Sequence, residues 1–265
     1  MTPLAHDRYC DEIITQTELL RDVLKGADLS AVVPTCPDWT LAELLCHIGG
    51  NLRFVETAVR TGTPVDDPER QVPDAAGPDG DDPAALEAWL ADGAARFAAT
   101  LRAAGPSAEA HVWVFQRKTA FWARRAALDV VIHRADAAGT VGADYNVAPE
   151  LAADAIDELL ELLSDPQVAG ASPQLAELRG LGPGKSIHLH ATDAGAGLAA
   201  EWLIELGADG FTWRRGHERA TVALRGPLTD VLRVFYRRLP SSSERVEVLG
   251  DNALLRFWLD RAILR

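Results

Sequence analysis

The sequence predicts an α+β protein in which an up-down helical bundle is followed by a smaller α+β domain. Apolar residues in the first 165 positions recur with the 3.6-residue period of amphipathic helices, whereas short segments after Pro166 alternate with the two-residue period of strands. A chain of 265 residues, 48% of them hydrophobic, can bury a sizeable core without disulfides or a structural metal. We therefore expect a bundle over 1–165, a linker over 166–182 and an α+β domain over 183–265.

Four or five helices are expected in the bundle. The first covers 7–25, and the second begins after Thr40, which forms with Glu43 the Thr-x-x-Glu pattern of a capping box. Two prolines make the segment 33–40 an extended or turning connector, and the acidic, Pro- and Gly-containing segment 61–82 is typical of a surface loop. A third helix is expected to begin at Pro83, a fourth to span about Lys118–Ala138 and a fifth to span about Pro149–Leu163.

Strands and helices are both expected in the C-terminal domain. The segment 186–191 reads Ser-Ile-His-Leu-His-Ala, in which every second residue is apolar, as in a half-buried strand. The sheet is expected to be antiparallel or mixed. The further strands are placed at Ala200–Leu206, Ala220–Leu224 and Arg245–Leu249, and the helices at Leu228–Arg238 and Asn252–Ile263.

Charge and composition restrict the class of partner. The net charge of −13 does not favour nucleic-acid binding, and no apolar stretch approaches the roughly 18 residues of a membrane span. No basic segment followed by an apolar one is visible at the N-terminus, and three cysteines are too few for a disulfide framework, so a reducing cytoplasm is expected. Residues 211–265 carry +5 against −18 for residues 1–210, which indicates either solvated arginines, docking on an acidic neighbour, or a surface for an anionic small molecule.

Three side chains of the predicted bundle are candidate metal ligands. His47 lies at the border of the bundle interior on the second helix, and Asp129 and His133 are i and i+4 on the fourth. Zinc takes imidazole nitrogen and carboxylate oxygen, and three protein ligands leave one position open, as in catalytic sites. The spacing alone is equally that of an Asp–His ion pair on a helix face, and Asp136 is a rival carboxylate.

Sequence motifs carry a family resemblance. The segment VPTCPDWT (33–40) precedes LLCHI, which contains His47, and FWARR (121–125) precedes Asp129 and the HRADA segment that begins at His133. HLHATD, EWLI and a Gly-Asp pair follow in the C-terminal part. Together these segments resemble the mycothiol-dependent maleylpyruvate isomerase family. The resemblance implies a DinB-like metal-binding bundle, a C-terminal domain similar to sterol-carrier-type α+β domains, and metal ligation by His47, Asp129 and His133, although the family usually has Glu where this chain has Asp129.

The same resemblance implies an activity. It predicts zinc as the divalent metal, mycothiol as cosubstrate in an actinobacterial cytoplasm, and an isomerase or thiol transferase acting on a small electrophilic, anionic substrate through a metal-activated thiolate. Arg238 matches an arginine often present in the family's C-terminal domain and is the first candidate to bind the substrate anion, with Arg125 as the second. Either could instead be a surface arginine or part of a salt bridge. A non-catalytic binding or regulatory protein and a metal-assisted hydrolase remain alternatives.

Two further groups of residues are interpreted as structural. His188 and His190 face the same side of their strand, but a metal there lacks an obvious third ligand in the sequence. The three cysteines are expected to be small buried hydrophobes rather than nucleophiles, and Cys36 lies near the start of the predicted metal helix.

Overall fold

A computed structural model describes residues 3–72, 74–78, 82–113, 115–179, 184–195 and 197–263 of the chain. The chain divides into two compact units, Thr2–Tyr145 and Asn146–Arg265. Residues 180–183, which include the end of the predicted linker and the first residue of the predicted C-terminal domain, lie outside the described residues.

The first unit is built on long helices that pack around a common apolar core. Helices α1 and α2 each pack against both α4 and α5, and the buried stripe of each helix faces this core. No helix in the described part of the chain has the length and apolar character needed to cross a membrane. The helices are α1 (His6–Val23), α2 (Leu41–Thr61), the short α3 (Pro68–Gln71), α4 (Pro83–Ala104) and α5 (Thr119–Val141).

The start of α2 is fixed by its own sequence. The Thr40 hydroxyl accepts a hydrogen bond from the Glu43 amide at 3.3 Å, and the Glu43 carboxylate accepts one from the Thr40 amide at 2.7 Å. The predicted capping box is therefore confirmed. Because the box sets where the helix begins, it also sets the position of His47 two turns further on.

Two hairpins interrupt the helices of the first unit, which the sequence predicts to be a helical bundle. Strands β1 (Val32–Val33) and β2 (Cys36–Thr40) pair within the connector, and β3 (Glu109–Val112) pairs with β4 (Phe115–Lys118) before α5. The strand β2 lies in the segment 33–40, which was expected to be extended or turning, whereas β3 and β4 were not predicted because they are too short to show a period. In β3 only two residues, Ala110 and Val112, face the core.

The second unit contains a five-stranded mixed sheet, as expected. The strand order is β7-β6-β5-β8-β9, in which β5 and β8 are parallel and the other pairs are antiparallel. The strands are β5 (Lys185–Ala191), β6 (Glu201–Gly207), β7 (Gly210–Arg215), β8 (Val222–Gly226) and β9 (Glu247–Gly250); β7 was not predicted. The helices are α6 (Pro149–Ser164), α7 (Pro166–Ala171), α8 (Pro173–Ala176), α9 (Leu228–Phe235) and α10 (Asn252–Leu259).

Helix α6 belongs to the second unit and not to the bundle. Its buried Asp157 accepts hydrogen bonds from the Trp202 indole at 2.7 Å and from the Arg215 guanidinium at 2.8 Å, and the Tyr236 hydroxyl donates to the Ala155 carbonyl at 3.0 Å. The division at 145/146 thus precedes the predicted linker at 166–182. A helical period indicates that one face of α6 is buried, but it does not indicate which unit buries it.

Candidate metal centre

The structure brings the three predicted ligands together. His47 on α2 and Asp129 and His133 on α5 each offer one ligand atom, and these atoms all lie within 4.8 Å of one another. The His133 Nε2 atom is 3.9 Å from Asp129 Oδ1, and the two imidazole rings meet edge to face with centroids 5.0 Å apart. The geometry therefore has the donor types and the convergence that a metal needs; metal binding itself stays a prediction.

An aromatic side chain covers the two imidazoles. The Trp39 ring centroid lies 4.6 Å from that of His47 and 6.3 Å from that of His133. Trp39 is part of β2, immediately before the capping box of α2. The VPTCPDWT motif therefore contributes an apolar wall to the centre as well as the start of the helix that carries His47.

A buried carboxylate orients His133. The Nδ1 atom of His133 lies 2.9 Å from Asp136 Oδ2, and the Thr35 hydroxyl donates to the other carboxylate oxygen. Because a carboxylate accepts, this contact places the imidazole proton on Nδ1 and leaves the Nε2 lone pair toward Asp129. Asp136, which the sequence analysis considered as a rival ligand, is therefore the hydrogen-bond partner of the candidate ligand His133. Metal-binding histidines typically have such a partner on the nitrogen that does not bind the metal.

A side chain that the sequence analysis missed contacts His47. The Asn51 amide nitrogen lies 3.1 Å from His47 Nε2. Burial, together with the nearby His133, lowers the pKa of His47 and so favours the neutral imidazole that a metal ligand requires. Asn51 is four residues after His47 on the same helix, and this spacing is the signal that could have identified it.

Asp129 is held as a carboxylate. Burial alone would raise its pKa, but Arg125 and the two histidines outweigh burial and lower the pKa to about 2. The Arg125 guanidinium donates to Asp129 Oδ1 at 2.8 Å from one turn earlier on α5. Asp129, one methylene shorter than the glutamate that the resemblance implies, brings its carboxylate to the convergent position. Arg125 contacts a predicted ligand, and its predicted role in binding substrate stays a prediction.

Arg238 lies in the second unit, three residues after the end of α9. Its side chain is half-buried, and its guanidinium donates to the Tyr236 carbonyl at 2.8 Å. This contact orients the guanidinium, and the predicted binding of a substrate anion by Arg238 stays a prediction.

The cysteines are free thiols in partly or fully buried positions. Cys10 is fully buried, and burial raises the pKa of its thiol to about 11. It lies close to His6 and Asp7, so these three could also be considered as metal ligands. The raised pKa disfavours the thiolate that metal binding requires, which agrees with the interpretation of this residue as a small hydrophobe.

Comparison with known proteins supports the resemblance found in the sequence. The family model of the mycothiol maleylpyruvate isomerase N-terminal domain matches residues 10–138, and the C-terminal domain model of the same family matches residues 150–257. No curated protein matches the chain in sequence. Both matched regions fall within the two compact units described above, one in each.

Two solved structures share the fold. They are crystal structures of the mycothiol-dependent maleylpyruvate isomerase and of a variant of it with one histidine replaced by alanine. Each is 15% identical to this chain, with 92% of this chain and 93% of the other covered, and the TM-scores are 0.58 and 0.57. The predicted fold class, a helical bundle followed by an α+β domain, is thereby confirmed. With both domain models matched in order along nearly its whole length, the chain belongs to the mycothiol-dependent maleylpyruvate isomerase family.

Proposed function

We propose that this protein is a mycothiol-using isomerase or thiol transferase that depends on a divalent metal, with zinc as the best match to its donors. The observation that carries the proposal is the convergence of His47, Asp129 and His133 within 4.8 Å. Two imidazoles and one carboxylate form a ligand set used by catalytic zinc, and three protein ligands leave a fourth position for a cosubstrate or substrate.

The measured geometry supports this assignment. Ligands about 2.0–2.2 Å from a tetrahedral zinc ion lie roughly 3.3 Å from one another. The separation of 3.9 Å between His133 Nε2 and Asp129 Oδ1 is near this value, and a small side-chain rotation closes the difference. When bound, the ion would supply a Lewis acid that lowers the pKa of a thiol enough to produce the thiolate at neutral pH.

The surrounding residues position the ligands. Asp136 holds the His133 ring through Nδ1, and Arg125 holds the Asp129 carboxylate through Oδ1. The Trp39 ring lies against both imidazoles and forms an apolar wall on one side of the centre. A thiol in the open fourth position would exclude the water that competing hydrolysis needs there. The centre therefore favours a reaction in which a thiolate adds to an electrophilic carbon.

An anionic substrate requires a cation. Arginine suits a carboxylate because its planar guanidinium makes two parallel hydrogen bonds. Arg238 is our first choice and Arg125 our second, since Arg125 already donates to Asp129. We also place the protein in the cytoplasm, where a low-molecular-weight thiol and three free cysteines remain reduced.

The test combines metal analysis with thiol dependence. Purified protein is analysed for its elements, and the isomerisation of maleylpyruvate is assayed with and without mycothiol. We expect activity only with thiol and metal, loss of both activity and metal binding at this centre in His133→Ala, and no change in His111→Ala, a half-buried histidine outside the centre. For Arg238→Ala we expect metal retention and an increased KM for anionic substrates.

Other results would select the alternatives. Hydrolysis of an ester or amide without thiol would indicate a metal-assisted hydrolase. Metal and thiol binding without turnover of any electrophile tested would indicate a binding or regulatory protein. If His133→Ala retains both activity and the full metal content, the assignment of this centre is refuted.

A further inference from the structure

A second cluster of metal-binding side chain types lies in the second unit. His188, His190, Glu201 and His217 each offer one ligand atom, and the four atoms lie within 4.8 Å of one another. The sequence analysis interpreted His188 and His190 as structural because a third ligand was not apparent. The fold supplies a third and a fourth.

The three imidazoles converge on one carboxylate oxygen of Glu201. Oε2 of Glu201 is 2.9 Å from His188 Nε2, 3.4 Å from His190 Nδ1 and 2.6 Å from His217 Nδ1. The three imidazole rings are arranged edge to face, with centroids 5.3–5.5 Å apart. One carboxylate oxygen has about two lone-pair sites, so three imidazole nitrogens are more than it normally binds. A shared cation would satisfy all four groups.

Strand register explains how the cluster forms. His190 lies directly opposite Glu201 in the antiparallel β5–β6 pair, and His188 is two residues earlier on the same face of β5. The Gly216 amide donates to the Glu201 carbonyl at 3.1 Å, so the segment after β7 runs beside Glu201 and brings His217 to the cluster. Three separate segments of the chain therefore meet at this point.

The donor set selects a class of metal. Three imidazoles and one carboxylate suit zinc and neighbouring transition metals, whereas magnesium and calcium prefer sites made of oxygen atoms. Four protein ligands complete a tetrahedral zinc coordination shell, which is typical of structural sites. His188 is buried, and the side chain of His217 is 72% exposed, so the cluster can be reached from solvent.

We propose that His188, His190, Glu201 and His217 bind one zinc-type divalent ion, which joins β5, β6 and the segment after β7. This site is separate from the centre formed by His47, Asp129 and His133 and does not depend on the proposed activity. Its role is to stabilise the second unit, since an ion that binds the folded state and not the unfolded chain raises the stability of the fold.

The experiment uses the full-length chain with His133→Ala, which removes a ligand of the first centre. After removal of bound metal and dialysis against zinc, we expect one zinc ion per chain and a zinc-dependent rise in Tm. Adding His217→Ala should weaken zinc binding at least tenfold and abolish most of that rise. His111→Ala, a substitution of a half-buried histidine outside both clusters, should leave zinc binding unchanged. Magnesium should give no rise in Tm.

A second substitution covers the case in which His217 contributes little. Glu201→Gln keeps the size of the side chain and removes its charge, and we expect it to weaken zinc binding at least tenfold with the circular dichroism spectrum unchanged. The proposal is overturned if the His133→Ala protein binds no zinc, or if His217→Ala and Glu201→Gln both bind zinc as tightly as that parent. Cobalt provides an independent readout, because a tetrahedral site gives intense visible absorption that both substitutions should remove.

Discussion

The ion pair between Asp157 and Arg215 connects α6 to the sheet of the second unit, so breaking it tests the division between the two units. Asp157 lies on α6 and Arg215 on β7, and their side chains are 4% and 13% exposed. Arg215 donates to both carboxylate oxygens of Asp157 through Nε and Nη2. Its Nη2 also donates to the Ala153 carbonyl, and its Nη1 donates to the carbonyls of Leu198 and Ala199. Replacing Arg215 by leucine removes all of these bonds and the charge that compensates Asp157.

The expected cost follows from burial. Breaking a buried ion pair by removing one partner typically costs about 3–5 kcal/mol, because the remaining charge stays in a low-dielectric environment. With a urea m-value of about 2 kcal/mol/M, this cost lowers the unfolding midpoint by roughly 1.5–2.5 M. The Trp202 indole still donates to Asp157 in the variant, but a neutral hydrogen bond does not replace the charged guanidinium.

Urea unfolding followed by far-ultraviolet circular dichroism measures this effect. Arg214→Leu is the matched control, since Arg214 is the preceding residue of the same strand and pairs with Glu218 at an exposed position, where a loss of at most about 1 kcal/mol is expected. Adding Asp157→Asn to Arg215→Leu should restore part of the stability, because the buried charge is then absent. A loss below 1 kcal/mol for Arg215→Leu would refute the claim that this pair anchors α6 to the second unit.

Two further substitutions test the bundle. Asp136→Asn should weaken zinc binding at the first centre about 10–100-fold in a competition titration, because the carboxylate behind His133 is lost; an unchanged affinity would contradict its role. Gly49→Ala should lower Tm, since the new Cβ would lie 2.1 Å from a Trp89 ring carbon, and overpacking costs about 1–3 kcal/mol against a helix-propensity gain of about 1 kcal/mol. The control Gly139→Ala meets open space on an exposed helix face and should raise Tm; similar changes in both variants would count against the packing argument.

Local rules account for the features that the sequence predicted. The capping box at Thr40 and the i,i+4 pair of Asp129 and His133 each depend on residues less than two turns apart, so they can be identified before the fold is known. The pairing of His47 with that helix came from a family motif, since helix spacing alone does not indicate which helices are neighbours.

The features that the sequence did not predict depend on distant parts of the chain. Glu201 is a ligand candidate only because the register of β5 and β6 places it opposite His190. Burial of Asp157 depends on Arg215 and Trp202, both far along the chain, which donate to its carboxylate. A pattern of polar and apolar residues indicates which faces are buried, whereas partner choice among buried polar groups depends on tertiary structure.

The position of α6 also has a consequence for the evolution of two-domain chains. Units that fold around their own cores can be exchanged between related genes when the crossover leaves each core complete. A crossover at 145/146 keeps Asp157 and Arg215 in one parental sequence, so the hybrid inherits a matched pair. A crossover at 165 would combine an acid from one parent with whatever the other parent carries opposite it. Successful recombinants in this family should therefore join before α6 and not after it.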